Sequence, residues 1–440
     1  MATLIGVAAL LGMILVRQVN AFAALLVAAF GTGLLAGLAP DAVIASVSTG
    51  IGGVLGFIAV IVGLGALLGG YLEASGGAAA LARAIIGKRS ASGASIAMGI
   101  VGIVVAIPVF FDVGLVLLFP LVASLARTSG KPALYFGLPL LAGLATAHAF
   151  IPPTPGPVAV ANILSADIGL VILCGLAAGL PAMVLAGPVL TRTLSARDAL
   201  PIGTNRGIPA GEVGGTVDGN LAMRAMLSIA FPIALIVASA ISASIGFEGP
   251  LSSFLAFAGH PFVALLLACG LASILLRPTD AESRARLGDT LARALEPTAV
   301  ILLVTGAGGA FKQVLVDTGA GAMLAKNLLG AGIGPIVAGF VLALVVRVAQ
   351  GSATVAMLTA AGLAAPLAAA AGLAPLDLAL MTIAIASGAS MASHVNDSGF
   401  WLVSRYFGLS SAETLRTWTL SSTIVGLTGF AVVLLLAAIF

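Results

Sequence analysis

The sequence predicts an all-α polytopic membrane protein built from two inverted repeats. Of its 440 residues, 60% are hydrophobic and only 8% are charged, whereas a soluble domain carries about 25% charged residues. Sixteen acidic and nineteen basic side chains cannot cover the water-facing surface of a protein of this size. Its 56 glycines are typical of membrane helices that pack closely. A soluble globular protein is therefore excluded.

Apolar segments long enough to cross a membrane, about 20 residues each, define the predicted elements. Ten continuous spans lie at 2–16, 20–38, 51–72, 132–165, 168–190, 221–243, 252–276, 297–316, 376–407 and 412–439. Two longer apolar stretches, 93–126 and 333–370, break in the middle. Each of their arms is short, so each stretch is either two thin crossings or one re-entrant hairpin.

The distribution of Lys and Arg favours re-entrant hairpins. If both hairpins enter and leave on one side, sixteen of the nineteen basic residues share one face of the membrane and only Lys326 lies on the other. Lys312 and Arg347 are then left inside the membrane. The positive-inside rule expects such an asymmetry for the cytoplasmic face, which places both termini outside. If both stretches cross instead, only the short segments between the two tips change face, so that alternative stays open.

The order of elements repeats along the chain. Each half contains three spans, a broken hairpin, a long interrupted span and a final span. Because each half then crosses five times, the second must be inverted relative to the first. We expect a first repeat at 1–191, a cytoplasmic linker at 192–222 and a second repeat at 223–440. Inverted repeats with helices broken at the midplane are typical of secondary transporters.

Four interruptions mark the places where chemistry is expected. The hairpin tips are 108–114 and 347–354, and the interrupted spans break at 148–157 and 393–399. Irregular backbone at membrane depth is tolerated only where it is buried in protein or lines a cavity. The half-helices that start at these breaks present unpaired N–H groups and a positive dipole end. They are suited to an anionic ligand.

Two carboxylates at these breaks, Asp112 and Asp397, are the predicted proton-coupling residues, with Asp112 the main one. Ionisable groups within the membrane are costly and usually functional. Each also has a structural interpretation, Asp112 as a cap of the second hairpin arm and Asp397 as an N-cap beside Ser398. Arg347 either neutralises one of these acids or holds a substrate carboxylate as a planar fork. Lys312 is interpreted as structural, because it can reach the outer membrane surface.

Three motifs resemble the gluconate permease family of proton symporters. They are His148-Ala-Phe-Ile-Pro-Pro-Thr-Pro-Gly-Pro-Val-Ala-Val-Ala161, Gly306-Ala-Gly-Gly-Ala-Phe-Lys-Gln-Val-Leu-Val-Asp317 and Asn396-Asp-Ser-Gly-Phe-Trp401. The resemblance covers essentially the whole chain. It implies import of a sugar acid such as gluconate with a proton across a bacterial inner membrane. It also implies kinship with the wider ion-transporter superfamily and a homodimer with a scaffold region and a moving transport region.

The predicted substrate site combines the polar groups at the four breaks. Hydroxyl and amide groups there can pair with the hydroxyls of a sugar acid, and Arg347 and the half-helix N-termini can hold its carboxylate. The predicted binding residues are His148, Thr154, Arg347, Gln350, Ser352, Thr354, His394, Asn396 and Ser398. The two histidines can equally be hydrogen-bonded helix-end residues. Trp401 and Trp418 are interpreted as packing or interface residues.

The sequence is compatible with alternative functions. A sodium-coupled carboxylate carrier fits the same polar tips, and other members of the resembled family take idonate, fructuronate or D-serine. An intramembrane enzyme using the two acids and the histidines is less favoured, because no spacing of a nucleophile and a base is visible. No nucleotide-binding loop or metalloprotease motif is present. The expected partners are a small sugar acid, a proton and the lipid bilayer, with no nucleic acid, metal or cofactor.

Overall fold

A computed structural model describes most of the chain, and within the described residues every regular element is a helix. The described residues are 2–15, 17, 19–87, 89–197, 199–201, 218–244, 247–278, 281–296, 298–318, 334–394 and 397–440. Their helices are α1 (Ala2–Leu15), α2 (Ala21–Leu35), α3 (Pro40–Ala74), α4 (Gly77–Ile86), α5 (Ala91–Ala106), α6 (Phe111–Ser129), α7 (Leu134–Phe150), α8 (Pro155–Leu164), α9 (Ile168–Ala196), α10 (Gly219–Ser244), α11 (Pro250–Ala258), α12 (Pro261–Leu275), α13 (Ala281–Leu295), α14 (Thr298–Asp317), α15 (Pro335–Gln350), α16 (Ala353–Ala371), α17 (Pro375–Ser390), α18 (Ser398–Phe407) and α19 (Ser411–Ile439). The predicted all-α membrane class is confirmed.

Fewer helices are long enough to cross a membrane than the apolar segments suggest. In the described part, six helices pass a test of length and hydropathy, with α7 and α8 counted together, and up to eight pass if each bent pair is one span. The ten predicted spans include shorter helices, because α1 and α2 have only 14 and 15 residues and the span at 376–407 is divided into α17, of 16 residues, and α18, of 10. Sixteen helical residues extend about 24 Å, which is less than the hydrocarbon thickness of about 30 Å.

Helix ends coincide with the four predicted interruptions. Helices α5 and α6, the arms of the first predicted hairpin, are separated by residues 107–110, and α15 and α16, the arms of the second, by residues 351–352. In the predicted interrupted spans, α7 and α8 are separated by residues 151–154, and α17 and α18 by residues 391–397. The breaks within these two spans contain proline residues in the first case and Asp397 in the second, which a regular helix at membrane depth does not accommodate.

The predicted continuous span at 252–276 is wrong. It consists of α11 and α12, which meet at an angle of 71°. Pro261 is the first residue of α12, and the His260 side chain accepts the backbone N–H of Phe262 at 3.3 Å. A proline at the start of a helix disfavours the helical conformation of the residue before it. A hydropathy window averages over this proline and so overlooks the bend.

The start of α3, the presence of α13 and the end of α9 also differ from the sequence prediction. Helix α3 begins eleven residues before the predicted span at 51–72, and the charged helix α13 was not predicted. Leu291 of α13 packs against Gly70 of α3. Helix α9 continues through Ala196 into the predicted linker 192–222, of which residues 202–217 lie outside the described residues.

The two halves use glycine for the same close helix packing. A Cβ atom at Gly143 of α7 would lie 2.1 Å from the carbonyl oxygen of Gly99 in α5. A Cβ atom at Gly388 of α17 would lie 2.2 Å from the carbonyl oxygen of Phe340 in α15. Each pair joins the first hairpin arm of its half to the first part of its broken span. The final helices also correspond, because α9 and α19 each contain a π-helical turn. These parallels support two structural repeats, whose inversion stays a prediction.

We expect Gly143→Ala to destabilise the protein by about 1–3 kcal/mol, the usual cost of overpacking a tight interface. The backbones of α5 and α7 must separate to admit the methyl group. Gly53→Ala is the matched control, because a Cβ atom at Gly53 in α3 meets nothing within 4 Å. Thermal unfolding of the purified variants in detergent measures the difference. Equal unfolding temperatures for Gly143→Ala and the control would contradict the packing described here.

Candidate functional site

A cavity of about 240 Å³ lies where the two hairpin tips meet the break between α17 and α18. Helix α7 forms a further wall, and α19 contributes two side chains. The lining residues are Phe110, Phe111, Asp112, Ala145, His148, Ala149, Arg347, Ser352, Ala353, Thr354, Ser390, Asp397, Ser398, Gly399, Trp418 and Ser422.

Three helices, α6, α16 and α18, begin at this cavity. The hydroxyl of Ser352 accepts the N–H of Val355 at 3.3 Å and caps α16, and Asp397 accepts the N–H of Gly399 at 3.0 Å and caps α18. The start of α6, at Phe110, has no side-chain cap. Helix N-termini carry a partial positive charge and free N–H groups. Their convergence makes the cavity favourable for an anionic group.

A buried ion pair joins the second hairpin tip to the break in the second half. Arg347 and Asp397 are 3% and 9% exposed, and Nη2 of Arg347 donates to Oδ2 of Asp397 at 2.5 Å. The guanidinium also donates from Nε to the carbonyl of Met391 at 3.2 Å and from Nη1 to the carbonyl of Gly351. Arg347 therefore neutralises an acid, and that acid is Asp397. Because Arg347 also lines the cavity, the second interpretation, in which it holds a substrate carboxylate, stays a proposal. Several hydrogen bonds thus compensate the burial of both charges.

Two other ionisable groups at the cavity have no such partners. Asp112 is exposed in the cavity wall, where it makes no hydrogen bond or ion pair with any described residue. The Nδ1 atom of His148 is buried and likewise lacks a hydrogen-bond partner in the described part of the chain. The ring of Phe110 lies beside that of His148, with the two ring centres 6.1 Å apart. A buried nitrogen without a partner points to a ligand or water in this position.

The structure brings together seven of the residues singled out at the sequence level. These are Asp112, His148, Arg347, Ser352, Thr354, Asp397 and Ser398. The side chain of Gln350 and all of Asn396 lie outside the described residues.

Thr154 and His394 lie near the cavity but do not line it. The hydroxyl of Thr154, a residue only 3% exposed, donates to the carbonyl of Ile151 at 2.6 Å. Thr154 instead lines a smaller neighbouring cavity together with His148 and Pro108. The Nδ1 atom of His394 lies 2.9 Å from the carbonyl oxygen of Ala392, within its own break. This contact matches the structural interpretation of His394 as a hydrogen-bonded residue beside the helix end.

Sequence reasoning missed Ser390 and the contribution of α19. Trp418 is 4% exposed and lines the cavity, as does Ser422 one turn later. The other tryptophan, Trp401, is 42% exposed. A signal was present, because residues 417–423 read Thr-Trp-Thr-Leu-Ser-Ser-Thr within an otherwise apolar span. Such a run of hydroxyl groups in a membrane helix indicates a face that meets polar partners.

Lys312 does not line the cavity. The Nζ atom of Lys312 in α14 donates to the carbonyl of Ile163 in the last turn of α8, which is a structural interaction with a helix C-terminus. In the described ranges, no three His, Cys, Asp or Glu side chains are grouped closely enough to bind a metal ion.

Comparison with known proteins assigns the chain to a family. A family model described as "GntP family permease" matches residues 1–439. The chain belongs to the GntP family of permeases. It is therefore a transporter, and the intramembrane-enzyme alternative is excluded. The resemblance noted from the three sequence motifs is confirmed.

Relatives within the family match over nearly their full length. The chain is 38% identical over 440 residues to the high-affinity gluconate transporter of Escherichia coli. The matched region covers 98% of this chain and 98% of the relative. The chain is 36% identical to the gluconate permease of Bacillus subtilis, covering 99% of this chain and 98% of the relative. It is also 35% identical to the Gnt-II system L-idonate transporter of Escherichia coli, with the same coverage.

Two solved structures share the fold at low sequence identity. The YdaH transporter of Alcanivorax borkumensis superposes with a TM-score of 0.64 at 15% identity, covering 91% of this chain and 90% of that one. MtrF of Neisseria gonorrhoeae gives a TM-score of 0.64 at 16% identity, covering 89% and 84%. At this level of identity the likeness concerns the fold alone.

Proposed function

We propose that this GntP-family permease imports gluconate or a related sugar acid by proton symport across a bacterial inner membrane. The observation that carries the proposal is the cavity in which three helix N-termini and Arg347 lie together with the unpartnered Asp112 and His148. Relatives of the same family are named gluconate and L-idonate transporters. The homodimer implied by the family resemblance and the inverted repeats predicted from the order of elements are part of the same proposal.

The cavity offers separate partners for the two ends of a sugar acid. The carboxylate is attracted by the N-termini of α16 and α18 and by the guanidinium of Arg347. The hydroxyls of the sugar chain pair with Ser352, Thr354 and Ser398 and with Nδ1 of His148. The rings of Phe110 and Phe111 provide apolar surface for its C–H groups.

Proton coupling is assigned to Asp112 because of the difference between the two carboxylates. Asp397 has Arg347 as its counter-ion, so its charge is balanced without a ligand. Asp112 has no counter-ion among the described residues, and an isolated charge is costly away from bulk water. A proton that binds Asp112 removes this cost when the cavity closes around the substrate. In the sodium-coupled alternative, a sodium ion instead of a proton neutralises Asp112.

Competition for uptake of labelled gluconate tests the substrate class. In proteoliposomes, unlabelled gluconate and idonate should compete, whereas hexanoate should not. Hexanoate leaves the polar groups of the cavity unpaired, at a cost of about 1–3 kcal/mol for each buried group. Equal competition by hexanoate would contradict a polar site. Stronger competition by D-serine than by any sugar acid would favour the amino-acid alternative.

Cysteine labelling tests the proposed topology, in which both termini lie outside and the segment 192–222 lies inside. The two native cysteines, Cys174 and Cys269, are free and buried and are first replaced by alanine. An impermeant reagent added to intact cells should label a cysteine placed at Phe440 and spare one placed at Gly211. Permeabilised cells serve as the control, in which both positions should react. Labelling of Gly211 but not Phe440 in intact cells would reverse the topology.

A further inference from the structure

The last helix of the chain, α19, is interrupted by a π-helical turn at Leu415–Thr419. Such turns occur frequently at functional sites, because they push one residue out of the regular helical register. The turn contains Trp418, which faces the break between α17 and α18. Helix α9 has a π-helical turn at Leu185–Val189, but that turn contains no tryptophan and no hydroxyl group.

Side chains of α19 satisfy the exposed backbone of this break. The N–H of Ser393 donates to Oγ of Ser422 at 3.1 Å, and the N–H of Ala392 donates to Oγ1 of Thr423 at 3.3 Å. The hydroxyl of Thr419 donates to the carbonyl of Ser393. Backbone groups at membrane depth need such partners. The break is therefore held in place by α19.

A chain of hydrogen bonds runs from Trp418 to the buried ion pair. The indole N–H donates to Oγ of Ser393 at 2.7 Å, and the hydroxyl of Ser393 donates to Oδ2 of Asp397. The same Oδ2 atom accepts from Arg347. An indole N–H is only a donor, so Ser393 must accept from it and direct its own proton to Asp397. The indole of Trp418 thus sets which group donates and which accepts in both hydrogen bonds.

The other side of Trp418 contacts the first hairpin. Its ring lies 5.4 Å from the ring of Phe111, with an angle of 30° between the planes. Phe111 is the first residue of α6 and directly precedes Asp112. Trp418 therefore contacts both the tip that carries Asp112 and the hydrogen-bond chain that ends at Arg347.

We propose that Trp418 is a positioning residue that links the first hairpin tip to the Arg347–Asp397 ion pair. Displacement of Phe111 moves the indole, which changes the hydrogen bond to Ser393 and with it the orientation of Asp397 and Arg347. The state of Asp112 and the affinity of the carboxylate site are coupled through this residue. The inference rests on the proposed function in taking this cavity as the substrate site.

Transport kinetics of three variants test the hydrogen-bond chain. Trp418→Phe keeps the aromatic ring against Phe111 but removes the N–H, and Ser393→Ala interrupts the chain at its centre. Each should raise the apparent KM for gluconate by about tenfold, the equivalent of 1.4 kcal/mol, with little change in kcat. The double variant should be no worse than the poorer single variant, because both remove the same chain. Trp401→Phe is the control and should retain the parent KM.

Additive losses, or an unchanged KM in Trp418→Phe, would overturn the proposal. A loss of thermal stability with an unchanged KM would show Trp418 to be merely structural and would also overturn it.

Fluorescence separates failure of this inference from failure of the proposed function. Because the chain has two tryptophans, Trp401→Phe leaves Trp418 as the sole indole. Adding Ser393→Ala to this protein should shift the emission maximum without any ligand, since the indole loses its acceptor. An unchanged maximum would contradict the hydrogen bond whatever the substrate is. If the shift occurs but no sugar acid is taken up, the proposed function fails and the hydrogen-bond chain stands.

Discussion

Replacing Asp112 with asparagine should abolish the accumulation of gluconate driven by a pH gradient while leaving exchange of gluconate across the membrane intact. The asparagine side chain keeps the size of Asp112 but cannot bind and release a proton. Exchange needs only substrate binding and the conformational change, both of which can occur with a neutral side chain at this position. Uptake of labelled gluconate into proteoliposomes, with and without unlabelled gluconate inside, measures both activities.

Asp41→Asn is the matched control for this variant. Asp41 is the second residue of α3, as Asp112 is the second residue of α6, and it is also exposed, but it does not line the cavity. The control should retain both activities. Full accumulation driven by the pH gradient in Asp112→Asn would remove Asp112 from the coupling mechanism. Loss of exchange as well as accumulation would assign Asp112 to substrate binding.

Breaking the buried ion pair from one side should have the largest effect on stability. Arg347→Gln leaves the carboxylate of Asp397 buried beside Ser393 without its counter-ion, and such a loss costs about 3–5 kcal/mol. We expect a sharp fall in the yield of folded protein, measured by size-exclusion chromatography in detergent. Gluconate uptake should be lost as well, since the guanidinium is part of the proposed carboxylate site.

The double variant Arg347→Gln, Asp397→Asn separates these two effects. It removes both charges, so the folded yield should recover toward that of the parent protein, whereas uptake should stay absent. Arg286→Gln is the control, because its ion pair with Glu282 lies on exposed α13 and contributes little to stability. A double variant as unstable as Arg347→Gln alone would show that Arg347 acts through its other hydrogen bonds. Restored uptake in the double variant would exclude a role for Arg347 in binding.

Much of the fold follows from the sequence because polar and proline residues stand out in an apolar chain. The prolines near 152–157 and the charge of Arg347 mark two of the four breaks directly. The bend between α11 and α12 did not stand out, since Pro261 lies between two apolar segments and only its effect on His260 ends the helix. The extended start of α3 was missed because residues 40–50 are less apolar than the span they continue.

The site is only partly predictable, because spacing along the chain does not show which residues meet. The position of Asp397 relative to Arg347 was left open, and the ion pair becomes evident only when the second hairpin is placed against its break. Trp418 lies 25 residues after Ser393, in α19 and not in the break itself. Thr154 and His148 flank one break, yet only His148 reaches the main cavity, because the hydroxyl of Thr154 turns back to the carbonyl of Ile151.

The break between α7 and α8 and the break between α17 and α18 differ in how unpaired backbone N–H groups are avoided. In the first half, Pro152, Pro153 and Pro155 have no N–H group, so fewer donors need a partner at membrane depth. In the second half, the donors are kept and the hydroxyl groups of α19 accept from them. The conformation of the second break therefore depends on side chains of another helix.

Uptake of labelled gluconate into proteoliposomes under an imposed pH gradient tests proton symport most directly. With an alkaline interior and choline in place of sodium, purified protein should concentrate gluconate above the external level. Collapse of the gradient with a protonophore should return the internal level to equilibrium. Accumulation that requires sodium and is indifferent to the pH gradient would contradict proton coupling, and the absence of saturable gluconate uptake under both gradients would contradict the assigned substrate.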